Sequence, residues 1–392
     1  MPWKDELLMD QKTQFVSEYL RDSISFTELC QRYHISRKTG YKWIKRYQTH
    51  GPAGLVDGSR RPHSSPDQTP DALRRAIIDA RRRHSTWGAK KLLKLLRRKD
   101  PQQPWPSRWT VCEILRREGL VRQKTRRRKL GHPGKPTSII TAPNQLWCAD
   151  FKGEFKTRDG RYCYPLTVTD SYSRYLIGCH GLLSTQTQGA KAVFHQLFKK
   201  YGLPAAIRSD NGVPFASNAL GRLSELSVWW TRLGIRRELI EPGKPQQNGQ
   251  HERMHRTLKA ETTRPPAANL AQQQRLFNRF CQEYNQVRPH EGIGLETPAS
   301  LYKPSTRLLP KAVPALIYPA HFETRLVSKN SGIRWNNKWV AVSTTVAGLH
   351  VGLEEVDHGI WDVYLGRVKL GRLLEERLRI EDHLGRLKRI NL

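Results

Sequence analysis

Three carboxylates in this chain each lie in a short polar motif, and they follow one another at wide spacing. Asp150 ends the segment WCAD, Asp210 lies in SDNG, and Glu252 lies in PQQNGQHERM. Sixty positions (210 − 150) separate the first pair, and 42 (252 − 210) separate the second. Carboxylates that converge on a basic protein indicate metal-ion chemistry on a phosphodiester, because divalent ions bound to them stabilise the attacking and leaving oxygens.

The charge balance indicates a polyanionic partner. The 392 residues include 68 Lys and Arg against 35 Asp and Glu, which gives a formal net charge of +33. A surface of that charge neutralises phosphates and releases their counterions. A ribosomal or chromatin-packing protein is the alternative, and the 11 Trp together with the acidic motifs weigh against it.

The sequence gives no sign of a membrane or secretory segment. Residues 1–20 contain Asp, Glu and Lys without an apolar run, and no stretch approaches the roughly 18 apolar residues of a membrane helix. The six cysteines are scattered without a CxxC pair, which disfavours structural zinc and a disulfide framework. We therefore expect a reducing compartment and no membrane partner.

Residues 1–51 are predicted to form an all-α helix-turn-helix domain, with two short helices joined by a tight turn. Ser36 is placed to cap the second helix, because its hydroxyl can accept a free backbone N–H. The predicted core consists of Leu29, Tyr33, Ile35 and Ile44. The residues expected to contact DNA from the second helix are Arg37, Lys38, Lys42, Lys45 and Arg46. Such a basic face suits the major groove and its phosphates, and a solvated helical hairpin is the alternative.

A second all-α unit is predicted at 70–121, between a Gly/Pro/Ser-rich linker at 52–69 and a basic linker at 122–142. Apolar residues recur at helical spacing in three helices, and Ser107 caps the third. The pattern suits a second, winged-type helix-turn-helix, and a purely structural three-helix unit is equally compatible with it. Seven Lys and Arg without an acid in 122–136 indicate a segment that follows DNA phosphates.

Residues 143–303 have a mixed pattern, in which antiparallel strands are followed by alternating helices and strands. Together with the three carboxylate motifs, and with the segments RPHE and ETPA near its end, this region resembles the retroviral-integrase-like core of bacterial insertion-sequence transposases, the DDE class. The resemblance implies a central α/β core with the RNase H-like fold, and the order of strands and helices agrees with that fold.

The resemblance also implies that Asp150, Asp210 and Glu252 are the catalytic residues and that they bind two Mg²⁺ (or Mn²⁺) ions. Two aspartates held close together repel unless cations neutralise them. Oxygen ligands with no Cys/His cluster nearby favour Mg²⁺ or Mn²⁺ over zinc. The stripe predicted to contact DNA on the helix of Glu252 consists of Asn248, Arg256 and Lys259.

Two other glutamates remain weaker candidates for the third ligand. Glu241 precedes a Pro-Gly-Lys-Pro turn and Glu261 follows the basic stripe, so neither lies in the motif that surrounds Glu252. A surface Glu252 paired with Arg256 at i,i+4 is the alternative to a metal ligand. Asp170 is interpreted as a structural residue that holds its neighbours in the segment TDSYSR.

The C-terminal part is predicted to be strand-rich. Residues 304–325 are expected to form a Pro-punctuated linker and residues 326–380 a small β-barrel similar to SH3 domains. The residues expected to fill the barrel are Trp335, Trp339, Val340, Val342, Val351 and Trp361. The resemblance implies a nonspecific contact with DNA or another subunit, and a purely structural role is the alternative.

The resemblance as a whole implies a multidomain DNA transposase that binds terminal inverted repeats and catalyses two-metal-ion strand cleavage and strand transfer. Its partners would be double-stranded DNA, both element ends and target, and further copies of the chain in a homo-oligomer. The expected location is the bacterial cytoplasm, in association with the nucleoid. A domesticated DNA-binding regulator without catalysis is the alternative, and a simple RNase H-like nuclease is a third hypothesis that the paired helix-turn-helix units disfavour.

Overall fold

The computed structural model describes residues 8–57, 68–121, 139–241 and 245–382. The chain divides into two compact units, residues 1–69 and residues 70–392. Most of the predicted basic linker and the middle of the predicted 52–69 linker lie outside the described residues.

The first unit contains three helices. They are α1 (Leu8–Arg21), α2 (Phe26–Arg32) and α3 (Arg37–His50). The predicted cap on α3 is confirmed, because the Ser36 hydroxyl accepts the N–H of Thr39. The predicted core is confirmed in part, with Leu29 and Ile44 buried and Tyr33 and Ile35 packed at its margin. The sequence did not indicate α1, which supplies Phe15 and Val16 to this core.

The linker predicted at 52–69 begins later than expected. Residues Gly51–Leu55 form a short 3₁₀ helix, and Leu55 is fully buried in the core of the first unit. Gly51 has a positive φ of 61°, which glycine adopts without steric cost and which ends α3. The first unit therefore extends at least to the ion pair of Asp57 with Lys12.

Three more helices begin the second unit, close to their predicted positions. They are α4 (Asp71–Arg83), α5 (Ala89–Lys99) and α6 (Arg108–Arg117). Ser107 caps α6 as predicted, since its hydroxyl accepts the N–H of Thr110. Trp87, between α4 and α5, is buried with the apolar faces of all three helices.

A six-stranded sheet and the helices that cover it form the central region. In chain order the elements are β1 (Trp147–Phe151), β2 (Phe155–Lys156), β3 (Tyr162–Asp170), β4 (Leu176–Leu182), α7 (Thr187–Tyr201), β5 (Ala206–Ser209), α8 (Glu225–Arg232), β6 (Arg236–Leu239), α9 (Gly249–Thr262), α10 (Leu270–Gln286) and α11 (Pro298–Leu301). The strands lie in the order β4-β3-β1-β5-β6, with β2 paired to the start of β3. The pairs β1/β3 and β3/β4 are antiparallel, and β1/β5 and β5/β6 are parallel. This is the antiparallel-then-alternating order that the sequence predicts.

Both faces of this sheet are covered, which explains the nearly continuous apolar character of β1. On one face, Trp147 and Ala149 pack with side chains of α7 and α8. On the other face, α9 and α10 place Met254 and Phe277 in a second cluster with Cys163. Successive side chains of a strand point to opposite faces. Asp150 therefore points to the face that α9 covers.

The C-terminal part is all-β, but it is not the closed barrel that the sequence predicted. Its strands are β7 (Glu323–Leu326), β8 (Gly332–Trp335), β9 (Lys338–Ala341), β10 (His350–Asp357), β11 (Ile360–Leu365), β12 (Val368–Leu374) and β13 (Arg379–Asp382). Five of them form an open sheet in the order β13-β12-β11-β10-β7, and β8 pairs with β9 as a separate hairpin. The buried cluster of this region includes Leu220, Leu223 and Val228 of the central region. Those residues fill space that closure of the sheet would otherwise have to enclose.

The predicted core of this region is confirmed except at one tryptophan. Trp335, Val340, Val342 and Val351 are buried, and Trp361 packs against them. Trp339 is 53% exposed, because it lies on the outer side of the β8/β9 hairpin, where its ring covers Gly332.

Candidate active site

Two of the predicted site residues belong to, or directly follow, adjacent parallel strands. In the β1/β5 pair, Trp147 is opposite Ile207 and Cys148 is opposite Arg208. Asp150 lies two residues after Cys148 and Asp210 two residues after Arg208, and the charge of Asp210 acts on Asp150. Neighbouring strands lie about 4.8 Å apart. Asp210 directly follows β5, and its Oδ1 accepts the N–H of Gly212 in the turn that leads the chain away.

Helix α9 carries Glu252 over the face of the sheet to which Asp150 points. Its buried side carries Met254 and Leu258, and these residues pack in the cluster shared with α10. Glu252 lies in the first turn of α9 and is exposed. The negative charge of Glu252 is close enough to contribute to the raised pKa of Asp150, as that of Asp210 is. Both other predicted carboxylates therefore lie within electrostatic range of Asp150.

The pKa values of the two aspartates of this site are raised. Burial, followed by the charges of Asp210 and Glu252, raises the pKa of Asp150 to about 7. Burial also raises the pKa of Asp210. No Lys or Arg forms an ion pair with these three residues in the part of the chain that the structure describes. A group of oxygen donors that repel each other in this way is suited to bind divalent cations.

Two histidines that the sequence interpretation missed lie beside Asp150. The Nδ1 of His255 is 3.8 Å from Oδ2 of Asp150, and ligand atoms of Asp150, His251 and His255 all lie within 4.8 Å of one another. The premise that no Cys/His cluster lies near the carboxylates is therefore wrong. The signal was the i,i+4 spacing of the two histidines on the apolar side of α9, next to Met254 and Leu258.

These histidines attach α9 to the middle of the sheet. Thr167 lies opposite Asp150 in the β1/β3 pair, and its Oγ1 is 2.7 Å from Nε2 of His251 and 2.6 Å from Nε2 of His255. The Oγ1 of Thr169 is 2.8 Å from Nδ1 of His251. Burial lowers the pKa of His251 to about 3 and that of His255 to about 2, so both rings are neutral near pH 7.

The rival carboxylates are engaged elsewhere. Glu261 accepts hydrogen bonds from Arg288 (2.9 Å) and from the hydroxyl of Thr86 (2.5 Å). Glu241 accepts one from the side-chain amide of Gln247. Asp170 is fully buried and accepts the N–H and hydroxyl of Ser173, which confirms its structural interpretation.

The residues predicted to contact DNA are mostly at the surface. On α3, Arg37, Lys38, Lys42 and Lys45 are exposed and Arg46 is half-buried. On α9, Arg256 and Lys259 are exposed beyond Glu252. Asn248 differs from them. It precedes α9 at the end of the 3₁₀ turn Pro245–Asn248 and is buried, and its Oδ1 has no hydrogen-bond partner among the described residues.

Family models match most of this organisation. An integrase core domain is matched at residues 140–245 and again at 233–298. A helix-turn-helix domain is matched at 11–63 and a homeodomain-like domain at 39–115. These matches identify an integrase core domain and helix-turn-helix domains in this chain, which is the domain organisation expected of a DDE polynucleotidyl transferase.

The chain is also similar to proteins of bacterial insertion elements. It is 28% identical over 257 residues to an uncharacterized 39.2 kDa protein of insertion element IS476 of Xanthomonas euvesicatoria, covering 63% of this chain and 69% of that protein. It is 25% identical over 244 residues to an uncharacterized 31.7 kDa protein of insertion element IS407 of Burkholderia multivorans, covering 60% and 82%. It is also 29% identical over 199 residues to the Gag-Pol polyprotein of avian reticuloendotheliosis virus, which covers 48% of this chain but 16% of the polyprotein.

Solved structures similar to the chain include the HTLV-2 integrase catalytic core domain in complex with magnesium. That similarity has 18% identity and a TM-score of 0.33, and it covers 41% of this chain and 97% of the integrase domain. A TM-score this low supports no conclusion about the chain. Among the described residues, no helix is long and apolar enough to cross a membrane.

Proposed function

We propose that this protein moves its own insertion element, by binding the terminal inverted repeats and catalysing strand cleavage and then strand transfer. The observation that carries the proposal is that the charges of Asp210, at the end of β5, and of Glu252, on α9, both act on the buried carboxylate of Asp150 in β1. The helix-turn-helix domains and the net charge of +33 suit DNA as the substrate.

The carboxylates of Asp150, Asp210 and Glu252 fit a pair of divalent cations by the chemistry of the donors. They are oxygen ligands without an ion-paired Lys or Arg among the described residues, and the charges of Asp210 and Glu252 raise the pKa of Asp150. Mg²⁺ or Mn²⁺ is the expected ion. When bound, such ions supply Lewis acidity and neutralise charge that develops on a phosphodiester.

The chain's own residues give this site its shape. Asp150 and Asp210 hold fixed positions because they belong to, or directly follow, strands of the central sheet. Glu252 is fixed through α9, whose buried side is attached by packing and by the contacts of its histidines with Thr167 and Thr169. Arg256 and Lys259 follow Glu252 on the exposed side of α9, where they would bind phosphates of the same DNA strand.

The partners proposed are double-stranded DNA, as element ends and as target, and other copies of this chain. An element has two ends, and each end requires a catalytic centre at the moment of joining. A homo-oligomer assembled on DNA supplies those centres in the simplest way.

The decisive experiment combines the purified full chain, Mg²⁺ and labelled DNA that carries the element's own ends. Asp150→Asn, Asp210→Asn and Glu252→Gln should each reduce cleavage by orders of magnitude while DNA binding is retained. Glu241→Gln is the matched control, because Glu241 lies outside the cluster, and it should keep most of its activity.

Three outcomes would contradict the proposal in different ways. Normal cleavage by Asp150→Asn or Asp210→Asn would refute the active-site assignment. Loss of activity in Glu241→Gln with normal activity in Glu252→Gln would show that the third ligand has been misplaced. Specific end binding by the wild-type chain, without cleavage of any end DNA, would favour the alternative of a DNA-binding regulator.

A further inference from the structure

The hydroxyl of Thr167 determines where the protons of the two buried histidines lie. This hydroxyl has one proton and two lone pairs. It donates its proton to the backbone carbonyl of Asp150 at 3.0 Å, because a carbonyl can only accept. The Nε2 atoms of His251 and His255, at 2.7 and 2.6 Å, must then both donate to the lone pairs of Thr167.

Both rings are therefore protonated at Nε2, but they differ in what their Nδ1 atoms contact. A neutral imidazole protonated at Nε2 has a lone pair on Nδ1. In His251 that lone pair accepts the hydroxyl proton of Thr169 at 2.8 Å, so neither nitrogen of His251 is free. In His255 the lone pair of Nδ1 faces the carboxylate of Asp150 at 3.8 Å.

No hydrogen bond joins Nδ1 of His255 to the carboxylate of Asp150, because both atoms are acceptors and lie 3.8 Å apart. The two atoms are instead suited to bind the same cation. Two ligand atoms bound to one ion at roughly 2.1 Å can lie up to about 4.2 Å apart. The separation of 3.8 Å falls within that limit. His251 is excluded as a ligand by its two hydrogen bonds, and its role is to hold Thr167 and thereby the ring of His255.

We propose that His255 Nδ1 is a nitrogen ligand of the divalent ion bound by Asp150, so that this site has a mixed nitrogen and oxygen ligand set. The inference rests on the proposed function, because it takes Asp150 to be a metal ligand. Mg²⁺ prefers oxygen ligands and gives up its water reluctantly, whereas imidazole suits transition-metal ions. The ligand set therefore favours Mn²⁺ over Mg²⁺ at this position.

The test uses the full-length chain loaded with Mn²⁺ and does not depend on activity. Pulsed electron paramagnetic resonance detects a nitrogen bound directly to Mn²⁺, and protein produced with ¹⁵N-labelled histidine assigns that nitrogen to an imidazole. We expect a histidine nitrogen signal in the wild type that is lost in His255→Asn. The control is His195→Asn, because His195 is an exposed histidine of α7, a helix that packs on the opposite face of the sheet.

Calorimetric titration supplies a second measurement. His255→Asn should weaken Mn²⁺ binding roughly tenfold, the lower end of the usual effect of losing a metal-site contact, and should change Mg²⁺ binding much less. Absence of a histidine nitrogen signal in the wild type would overturn the inference even if the variant failed to fold. So would a signal that persists in His255→Asn.

These results separate the inference from the function on which it rests. If Mn²⁺ binds without a histidine nitrogen, and Asp150→Asn abolishes that binding, the carboxylate site stands and the role of His255 is refuted. If Asp150→Asn binds Mn²⁺ as tightly as the wild type, the assignment of Asp150 as a ligand fails first.

Discussion

The two helical units that precede the central sheet differ in how they are held. The first unit, α1 to α3, folds around a core of its own. The second helical unit, α4 to α6, lies within residues 70–392 and also has a core, but it is bound to the central region by polar contacts. Arg288 lies over the ring of Trp87 and pairs with Glu261, which also accepts the hydroxyl of Thr86. His84 contacts Glu283 of α10 at 2.8 Å.

The charges of the last helices of the two helical units, α3 and α6, differ as well. The five basic residues predicted to contact DNA from α3 have no ion-pair partner among the described residues. At the end of α6, Arg116 and Arg117 are both paired with Glu113 at 2.8 Å. A helix whose cations are unpaired is better suited to bind phosphates than one whose cations are already neutralised.

This difference suggests a division of roles. Glu261, which is contacted by Thr86 of the second helical unit, lies on the same helix as Glu252, nine residues further along α9. At 1.5 Å per residue the two positions are about 13 Å apart. The second helical unit, α4 to α6, therefore supports the helix that carries the proposed third ligand, whereas the basic residues of α3, which have no ion-pair partner among the described residues, are suited to bind DNA.

Removal of residues 1–57 should have the largest effect. The boundary is set by Leu55, which is buried in the first unit, and by Asp57, which pairs with Lys12. Preference for element ends over random DNA should fall by about 10³-fold, since base contacts supply specificity. Metal-dependent nicking of arbitrary DNA should remain. Competition binding measures the first quantity, and a truncated chain that still prefers its ends would place recognition in α4 to α6.

Arg288→Ala should remove the link between α9 and the second helical unit, α4 to α6, because Arg288 contacts both Glu261 and Trp87. The Arg288 side chain is 7% exposed and that of Glu261 is 21% exposed. Loss of a buried pair costs about 3–5 kcal/mol, and the partial exposure of Glu261 reduces this to roughly 2–3 kcal/mol. Urea denaturation measures the change, and cleavage should fall with it.

The matched control lies in the first unit. Arg32 pairs with Glu18 at 3.1 Å, but its side chain is 66% exposed. Arg32→Ala should therefore cost less than about 1 kcal/mol. Equal losses of stability in Arg32→Ala and Arg288→Ala would mean that the contacts of Arg288 do not couple the second helical unit to the central region.

The pH dependence of stability tests the carboxylate cluster itself. Burial and the charges of Asp210 and Glu252 raise the pKa of Asp150 to about 7 in the folded state, against 3.8 for an ordinary aspartate. The folded state thus binds this proton more tightly than the unfolded state, so the contribution of Asp150 to stability is lost as pH rises from about 4 to 7.

Without divalent ions, the wild type should therefore lose stability relative to Asp150→Asn between pH 5 and pH 8, by roughly 2 kcal/mol. Added Mg²⁺ should restore most of this difference at pH 8. Thermal melts of both proteins across the pH range measure it. Parallel pH profiles of the two proteins would show that Asp150 is not in the environment described here.

The sequence was sufficient for the carboxylate pair, because the features that position it are local. A short, mostly apolar segment leads up to each aspartate and forms β1 or β5. The histidines were missed because their role depends on the seating of α9 on β3, which joins residues 84 and 88 positions apart. No local pattern specifies that register.

Two other misses have similar causes. Asn248 was expected on the exposed stripe of α9, but the 3₁₀ turn Pro245–Asn248 precedes the helix and turns Asn248 inward. The small C-terminal barrel was expected from the strand-rich pattern and from the resemblance to SH3-like domains. Alternating apolar residues show that one face of a sheet is buried, and they do not show whether another strand or a neighbouring region covers it.

The smallest predicted effect concerns single lysines on the two basic surfaces, those of α3 and α9. Lys45 on α3 and Lys259 on α9 are both exposed. Removing one phosphate contact should lower the slope of log affinity against log salt by about one. Lys45→Ala and Lys259→Ala should each do so in the full chain, and the double substitution should lower the slope by about two. Lys199→Ala is the control, because Lys199 is exposed on α7, which covers the other face of the sheet.

The truncated chain lacking residues 1–57 makes this test sharper. If the first unit and α9 bind DNA independently, Lys259→Ala must lower the salt slope by the same amount, about one, in the truncated chain as in the full chain. Metal binding should be unaffected, because Lys259 lies two turns beyond Glu252 on α9. Disappearance of the Lys259 effect on truncation would mean that α9 reaches DNA only after α3 has docked. The two surfaces would then act in sequence, and the independence inferred from their separate cores would be wrong.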